Sequence, residues 1–328
     1  MKTDVLDMLR AASPEWVSGE VLREPTGVSR AAISKQIKRW VALGYEIESS
    51  PRKGYRLKSE PDSLEAEFMK SRLEGTRFAK GEYVYTQVTG STNDDVRELA
   101  RRGAPEGSLV VAEVQERGRG RHGRAWFNRA GDSLLVSLLL RPPLTPRQGT
   151  LIPLLAAAGI YSALESLGVE GCGIKWPNDV LVDGRKVCGV LCEMSVDMDG
   201  IEFALLGIGM NVNTPGGAFP GELQGKACSL ASATGRRWSR SEVMEAVLRE
   251  IDRLAIPTWS GEMGPVMEVW RRGAVTPGKR VHVTRGDGKV FDGVAEDVNE
   301  DGALRVRDAE GTAHVLHSGE VTLSADGL

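Results

Sequence analysis

The 328-residue chain has four cysteines, too few and too scattered for a disulfide scaffold. It has four histidines. His314 and His317 stand close together, as do Cys188 and Cys192, but neither pair has a third or fourth ligand near in sequence, so neither reads as a metal site. No uncharged apolar run reaches the roughly 18 residues of a membrane span. The nearest, Leu151–Leu167, has helical spacing and carries Glu165. The opening MKTDVLDMLR contains acids and no apolar run leading to a small-residue cleavage site, so no secretory leader is expected. Cytoplasmic location and no membrane partner are the corresponding expectations. The net charge is only −3, which excludes a chain that is basic throughout.

Glycine is not scarce. There are 39, well above the usual share of about 7%. Length alone suggests two domains, or three if some are small. Charge is uneven along the chain. Residues 30–58 hold eight basic residues against Glu46 and Glu48, a net +6 that leaves −9 elsewhere. A basic patch on an acidic chain points to one nucleic-acid-facing module.

Local patterns in that region agree. Val5, Leu6 and Leu9 form one apolar stripe, Ser18 caps a short second helix, and Gly27 suits a tight corner. Ser29 caps a third helix, in which Ile33, Ile37, Trp40 and Val41 repeat at helical spacing. Its outward residues are then Arg30, Ser34, Lys35 and Lys38. Tyr45–Ser49 and Tyr55–Leu57 read as strands around Pro51-Arg52-Lys53-Gly54, a basic hairpin. Three helices and a basic hairpin make a winged helix–turn–helix, with Arg52 and Lys53 on the wing. The competing reading is a small helical domain with a solvated basic face. Pro25 argues for an early end to the second helix.

Residues 59–65 read as a linker. From about 66 to 270 strands and helices alternate. Strands are expected at Gly81–Gln87, Ser108–Glu113, Asp132–Leu140, Asp179–Val182, Val187–Met194 and Phe203–Met210, with helices at Leu151–Leu167 and Ser239–Ala255. From Gly278, short strands separated by turns at Gly286-Asp287-Gly288, Asp301-Gly302 and Glu310-Gly311 suggest a small barrel.

The densest chemical signal is Arg117 to Arg124, in which Arg117, Arg119, Arg121 and Arg124 alternate with Gly118, Gly120 and Gly123. Glycines permit close backbone approach, and arginines supply planar paired donors for phosphate or carboxylate. The pattern predicts a loop that closes over an anion. No Gly-Lys-Ser/Thr follows, so it is not a P-loop. An RGG-like RNA segment is the alternative, but such tracts are longer and lie in disordered tails. Lys175-Trp176-Pro177-Asn178-Asp179 forms a rigid corner whose Asp179 is able to hold Mg²⁺ near a nucleotide. Taken alone, such a pentapeptide is more often a structural turn. Gly184-Arg185-Lys186 leads into an apolar strand, which makes Lys186 either a solvated hairpin end or a cation aimed into a site. Gly207 to Asn213 is an apolar strand ending in two asparagines.

Together with Ser91-Thr92-Asn93, the segments GRGRHGRAW, KWPNDV, GRKVCGVL and GIGMNVN stand in the order and spacing of the biotin–protein ligases, and the chain resembles the bifunctional type that also represses the biotin operon. The resemblance covers nearly the whole chain. It implies an α+β protein: a winged helix–turn–helix at 1–62, a class II synthetase-like mixed α/β catalytic domain at 66–270, and an SH3-like β-barrel at 273–328. It implies biotin and ATP as substrates, Mg²⁺ as cofactor, biotinyl-5′-AMP as intermediate, and a lysine of the biotin carboxyl carrier protein as acceptor. It also implies a homodimer on operator DNA.

Carried over by position, Lys186 and Arg121 are catalytic. Ser91, Thr92, Asn93, Gln115, Arg119, Gly120, Arg121, Lys186 and Gly189 bind biotin. Arg121, Trp126, Asn178, Asp179, Lys186 and Asn211 bind ATP, with Asp179 on the metal. Residues 216–230 would cover the adenine. Pro215–Lys226 is read as lacking an aromatic suited to stack there; Trp238, beyond it, is the alternative for stacking, with core packing the favoured use. His122, at a lid position where the family often has another basic or polar residue, is given no role. Alternatives are a ligase with a vestigial DNA-binding domain, a lipoate–protein ligase, and a biotin-sensing regulator without catalysis.

Overall fold

The computed structural model describes residues 5–198, 200–285, 288–317 and 319–323. Its contacts divide the chain into two units, Met1–Ser63 and Leu64–Leu328.

In the first unit, helices α1 (Val5–Ala12), α2 (Gly19–Thr26) and α3 (Arg30–Ala42) precede the hairpin β1 (Glu46–Ser50) and β2 (Gly54–Ser59). Ser18 and Ser29 cap α2 and α3, each accepting at 3.2 Å from the backbone N–H three residues on. Gly27 turns the corner at φ 67°. Pro25 does not end α2 early; the helix runs to Thr26, because the proline falls in its last turn. Ile33, Ile37 and Trp40 are buried, while Val41 is exposed, one step off the buried face. Val17 and Tyr55 exchange backbone hydrogen bonds at 2.8 and 2.9 Å, tying the hairpin to the helices.

In the second unit, α4 (Ala66–Arg72) leads to a seven-stranded sheet. Its strands are β3 (Tyr83–Thr89), β4 (Leu109–Gln115), β5 (Ser133–Leu140), β6 (Cys172–Lys175), β7 (Asp179–Val182), β8 (Arg185–Val196) and β9 (Ile201–Asn211). The spatial order is β3-β4-β5-β9-β8-β7-β6, with only β3 and β4 parallel. Helix α5 (Thr92–Arg101) makes the crossover from β3 to β4. Helix α6 (Leu151–Ser166) with the turn before it makes a helical stretch, Pro146–Ser166, long and apolar enough to cross a membrane, yet 12 of the 16 residues of α6 are buried. It is a core helix, packed on α8 (Arg240–Trp259) and α9 (Gly264–Gly273), which follow the short α7 (Leu230–Thr234). Gly159 lets α6 approach α8 closely, since a Cβ there would lie 2.8 Å from Ile251.

The last five strands are β10 (Arg280–Thr284), β11 (Val290–Val298), β12 (Leu304–Asp308), β13 (Ala313–Leu316) and β14 (Glu320–Leu323). They form an antiparallel sheet of order β13-β12-β11-β10-β14. Among the described residues the outer strands β13 and β14 do not pair, so the hydrogen-bond ladder is not closed into a barrel. The turn expected at Gly286-Asp287-Gly288 lies partly outside the described residues.

Candidate active site

One cavity of about 610 Å³ opens over β8 and β9. Its polar end is built by the start of α5. Ser91 precedes the helix, and Thr92 and Asn93 form its first turn; all three are buried. Gln115, at the end of β4, accepts with Oε1 from the Thr92 backbone N–H at 2.7 Å and from the Thr92 hydroxyl at 2.9 Å. Thr92 and Ser137 hydroxyls meet at 2.7 Å, Ser137 donates to Asn93 Oδ1 at 2.6 Å, and Asn93 donates to Glu193 at 2.7 Å. Asn128 clamps the Gln115 backbone from both sides. A connected, largely buried network of this kind, in which the two hydroxyl protons are shared among three contacts, holds donors and acceptors in one geometry. Gly207 makes room for it, because a Cβ there would lie 2.4 Å from Asn93 Oδ1. Ser137 and Glu193 were not legible as site residues. They sit in ordinary strand patterns, and only the pairing of β5, β9 and β8 brings them to α5.

The arginine–glycine loop folds back on itself over the cavity. Trp126 N–H donates to Gly118 at 2.9 Å and Gly120 N–H to Arg124 at 2.7 Å. At the tip, His122 has φ 57° and Gly123 φ 73°. Three of the four arginines, Arg119, Arg121 and Arg124, go to three places. Arg119 pairs with Asp94 on α5 at 2.5 Å. Arg121 donates to Asn178 Oδ1 at 3.3 Å and to the Gly319 carbonyl at 2.9 Å. Arg124 pairs with Glu320 at the start of β14. Burial lowers the pKa of Arg121, partly countered by Asp179 and Glu320, so it is a desolvated cation in want of a full anionic partner.

Opposite the loop stands the turn between β6 and β7. Trp176 is buried and anchored through Thr276 and the Gly302 carbonyl, each at 3.0 Å. Asn178 is buried and donates to the Val190 carbonyl. Asp179 binds Lys186 Nζ at 2.6 Å, and that ammonium also lies 5.5 Å from the Trp126 ring centre. Lys186 therefore lines the cavity as a cation paired to Asp179. Lys175 also lines the cavity, and burial lowers its pKa.

Trp126 lies flat against the sheet. Cβ atoms on Gly209 and Gly189 would stand 2.5 and 3.1 Å from its ring. Its indole N–H is buried without a partner, as is Asn211 Oδ1. Asn211 Nδ2 is held by the Cys228 carbonyl at 3.2 Å, which fixes that free oxygen in place. Residues 226–228 hydrogen-bond to the Lys186 backbone and cover this side. Contrary to the sequence reading, Pro215–Lys226 does contain a usable aromatic. Phe219 lines the cavity, 5.8 Å from Phe127, while Trp238 lies buried outside its lining. Glu320, Val321, Thr322 and Leu323 of β14 complete the wall, a contribution no local motif announced.

Among the described residues no group of three or more His, Cys, Asp or Glu is placed to hold a metal. Burial pushes the Cys192 thiol up to about 12 and Cys188 higher still, which disfavours the reactive thiolate in both; Cys188 is buried and Cys192 half-buried. His314 pairs with Asp308.

In the first unit, Arg30, Lys35 and Lys38 are exposed on α3 and Ser34 is half-buried. Arg52 and Lys53 are exposed at the hairpin tip. Arg56 and Lys58 are both paired with Glu48, so the wing presents less free charge than its sequence suggests.

Residues 85–211 match the Biotin/lipoate A/B protein ligase family, residues 2–56 an HTH domain, and residues 276–324 the Biotin protein ligase C terminal domain. The chain is 32% identical to the bifunctional ligase/repressors BirA of Bacillus spizizenii and Bacillus subtilis, over 98% of its own length and 98% of theirs. Its structure is similar to the biotin protein ligase from Aquifex aeolicus in complex with biotin and ATP. The TM-score is 0.63 at 28% identity, covering 74% of this chain and 98% of that one.

Proposed function

The chain belongs to the biotin protein ligase family, and from that premise we infer how its own residues perform the work of a bifunctional ligase and repressor. It joins biotin to protein in two steps. The biotin carboxylate attacks the α-phosphorus of ATP, forming the biotinyl-5′-AMP anhydride and expelling pyrophosphate. A lysine amine of the acceptor then attacks the anhydride carbonyl, forming an amide, releasing AMP and losing a proton.

The observation that carries this reading is one cavity with two unlike ends. Ser91, Thr92, Asn93 and Gln115 form a pre-bonded polar end suited to the uncharged ureido ring. Lys186, Arg121 and Lys175 form a cationic end where a carboxylate must meet a polyphosphate. Two anions repel, and fixed cations in a water-poor site offset that repulsion most where charge builds up. Lys186 is the residue placed between them, held at Asp179 until an anion draws it away. Gly189 leaves room for its stem. Arg119, Gly120 and Arg121 carry the loop that excludes water from the anhydride. The free Asn211 oxygen suits the adenine amine, Trp126, Phe219 and Phe127 supply apolar surface for the base, and Asn178 orients Arg121. A magnesium ion fits a site with one carboxylate, Asp179, because such ions are held largely by nucleotide phosphates. When bound, it would neutralise phosphate charge.

The acceptor is the biotin carboxyl carrier protein. Residues 1–62 bind operator DNA through Arg30, Ser34, Lys35, Lys38, Arg52 and Lys53. Residues 66–270 carry catalysis, and their synthetase-like fold dimerises when the intermediate orders the loops. Residues 273–328 form an SH3-like domain, open in its hydrogen bonding, that closes the cavity wall. ATP, carrier protein and DNA together place the work in the cytoplasm.

The test is incubation with biotin, ATP, Mg²⁺ and a carrier domain, read by mass. The carrier gains one biotin on one lysine. Lys186→Ala lowers the rate by about 10²–10³, the usual loss for a removed electrostatic stabiliser. No gain with the wild-type protein refutes the reading, and a gain from lipoate instead of biotin reassigns the substrate.

A further inference from the structure

The side chain of Arg119 holds a protein carboxylate. Its partner, Asp94, lies one residue beyond Asn93 in the first turn of α5, and the two stand 2.5 Å apart. Asp94 also binds Arg97 at 2.8 Å. Arg97 reaches Glu193 of β8 at 2.9 Å, and Glu193 accepts from Asn93 at 2.7 Å. A chain of alternating charges therefore runs from the loop, across the helix start, to the polar network at the far end of the cavity. The next acid, Asp95, is occupied by Thr89 at 2.6 Å, so Asp94 is the one turned to the loop. Nothing about an arginine in a glycine loop disclosed this, because its partner lies 25 residues earlier on another element.

We propose that Asp94 is a positioning residue: by holding Arg119 against α5 it presets the glycine loop closed over the biotin end. The proposal rests on the ligase reading. A loop with three glycines loses much backbone freedom on ordering. A loop partly ordered beforehand leaves less of that cost to be met by biotin binding, so affinity rises without a new ligand contact. Asp94 touches no reacting atom, so its effect falls on biotin binding and on escape of the intermediate, not on the chemical step. Both partners are about two-fifths exposed, so the effect is modest and salt-sensitive.

The experiment compares the wild-type protein, Asp94→Asn and Asp94→Glu in biotin-dependent pyrophosphate release at low and high salt. In parallel, trypsin digestion of the ligand-free protein maps cuts at Arg119, Arg121 and Arg124. Asp94→Asn is expected to raise the biotin KM about two- to five-fold at low salt, with the change in KM rather than kcat. Asp94→Glu recovers most of the loss. Salt raises the wild-type KM toward that of Asp94→Asn, and trypsin cuts the loop faster in Asp94→Asn. Wild-type KM and wild-type cutting rate in Asp94→Asn overturn the proposal, as does a loss confined to kcat. Should Asp94→Asn not fold, a wild-type KM that does not change with salt overturns it alone. A wild-type protein that releases no pyrophosphate refutes the ligase reading instead, and the digestion still decides whether Asp94 holds the loop.

Discussion

At the scale of single residues, the site depends on small side chains as much as on charged ones. Trp126 rests on Gly209 with no space for a methyl group, so Gly209→Ala must displace the indole or the strand. Overpacking costs about 1–3 kcal/mol. The ATP KM is expected to rise about thirtyfold at the middle of that range, measured by pyrophosphate release, while the fold persists by circular dichroism. The cysteines predict the opposite kind of result. With Cys192 at about 12 and Cys188 above it, iodoacetamide at pH 8 should leave both unmodified in the folded protein and label them after denaturation. Labelling of Cys188 without unfolding would contradict its burial. At this scale much was readable beforehand. A lysine opening an apolar strand and arginines alternating with glycine are rare combinations with a direct electrostatic use. Their partners were not readable: Asp94 for Arg119, Gly319 and Glu320 for Arg121 and Arg124.

Elements bring these residues together, and two of them show what local pattern captures. The capped helices of the N-terminal unit were legible because serine caps, a corner glycine and helical spacing act over a few residues. The free charge of the wing was not, since pairing Glu48 with Arg56 and Lys58 depends on strand register. The salt dependence of operator binding should reveal the difference. Arg52→Ala with Lys53→Ala should lower the slope of log K against log salt by about 1.8, whereas Arg56→Ala should lower it by less. The second element is β4, whose Glu113 is buried and receives both Nη atoms of Arg240, at 2.7 and 3.1 Å. Burial alone would raise the Glu113 pKa, but Arg240, Tyr85 and Gly131 outweigh it, and the net shift is downward. A lowered folded-state value means the pair stabilises the fold above the ordinary glutamate range near 4.5 and loses that contribution as pH falls through the lowered value. Glu113→Gln should cost about 3–5 kcal/mol at pH 7 by urea unfolding, because it leaves a buried guanidinium without its charge partner. The variant should also show a weaker decline in stability below pH 4.5 than the wild-type protein.

For the whole molecule, the proposed linkage between ligation and DNA binding makes its own prediction. If the intermediate orders the loops and favours pairing of two copies, operator binding should tighten when biotin and ATP are both present. Gel-shift and sedimentation measurements should move together, and equal operator affinity with and without ligand would remove the linkage. The helical stretch Pro146–Ser166, which contains α6, shows the limit of composition at this scale: by length and hydropathy it suits a membrane, and the packing of α6 on α8 and α9 makes it a core. What the sequence determined by itself was the inventory. Four ordered motifs, a basic head on an acidic chain and caps and turns in place identified the family, the helix–turn–helix and the cationic residues, because those signals are local or depend on order alone. What only the tertiary structure decided was which groups meet. Ser137 and Glu193 join the polar end, Phe219 and β14 complete the wall, and Asp94 holds Arg119. These contacts join residues far apart in the chain, and they follow from how strands and helices pack, not from any stretch of residues read alone.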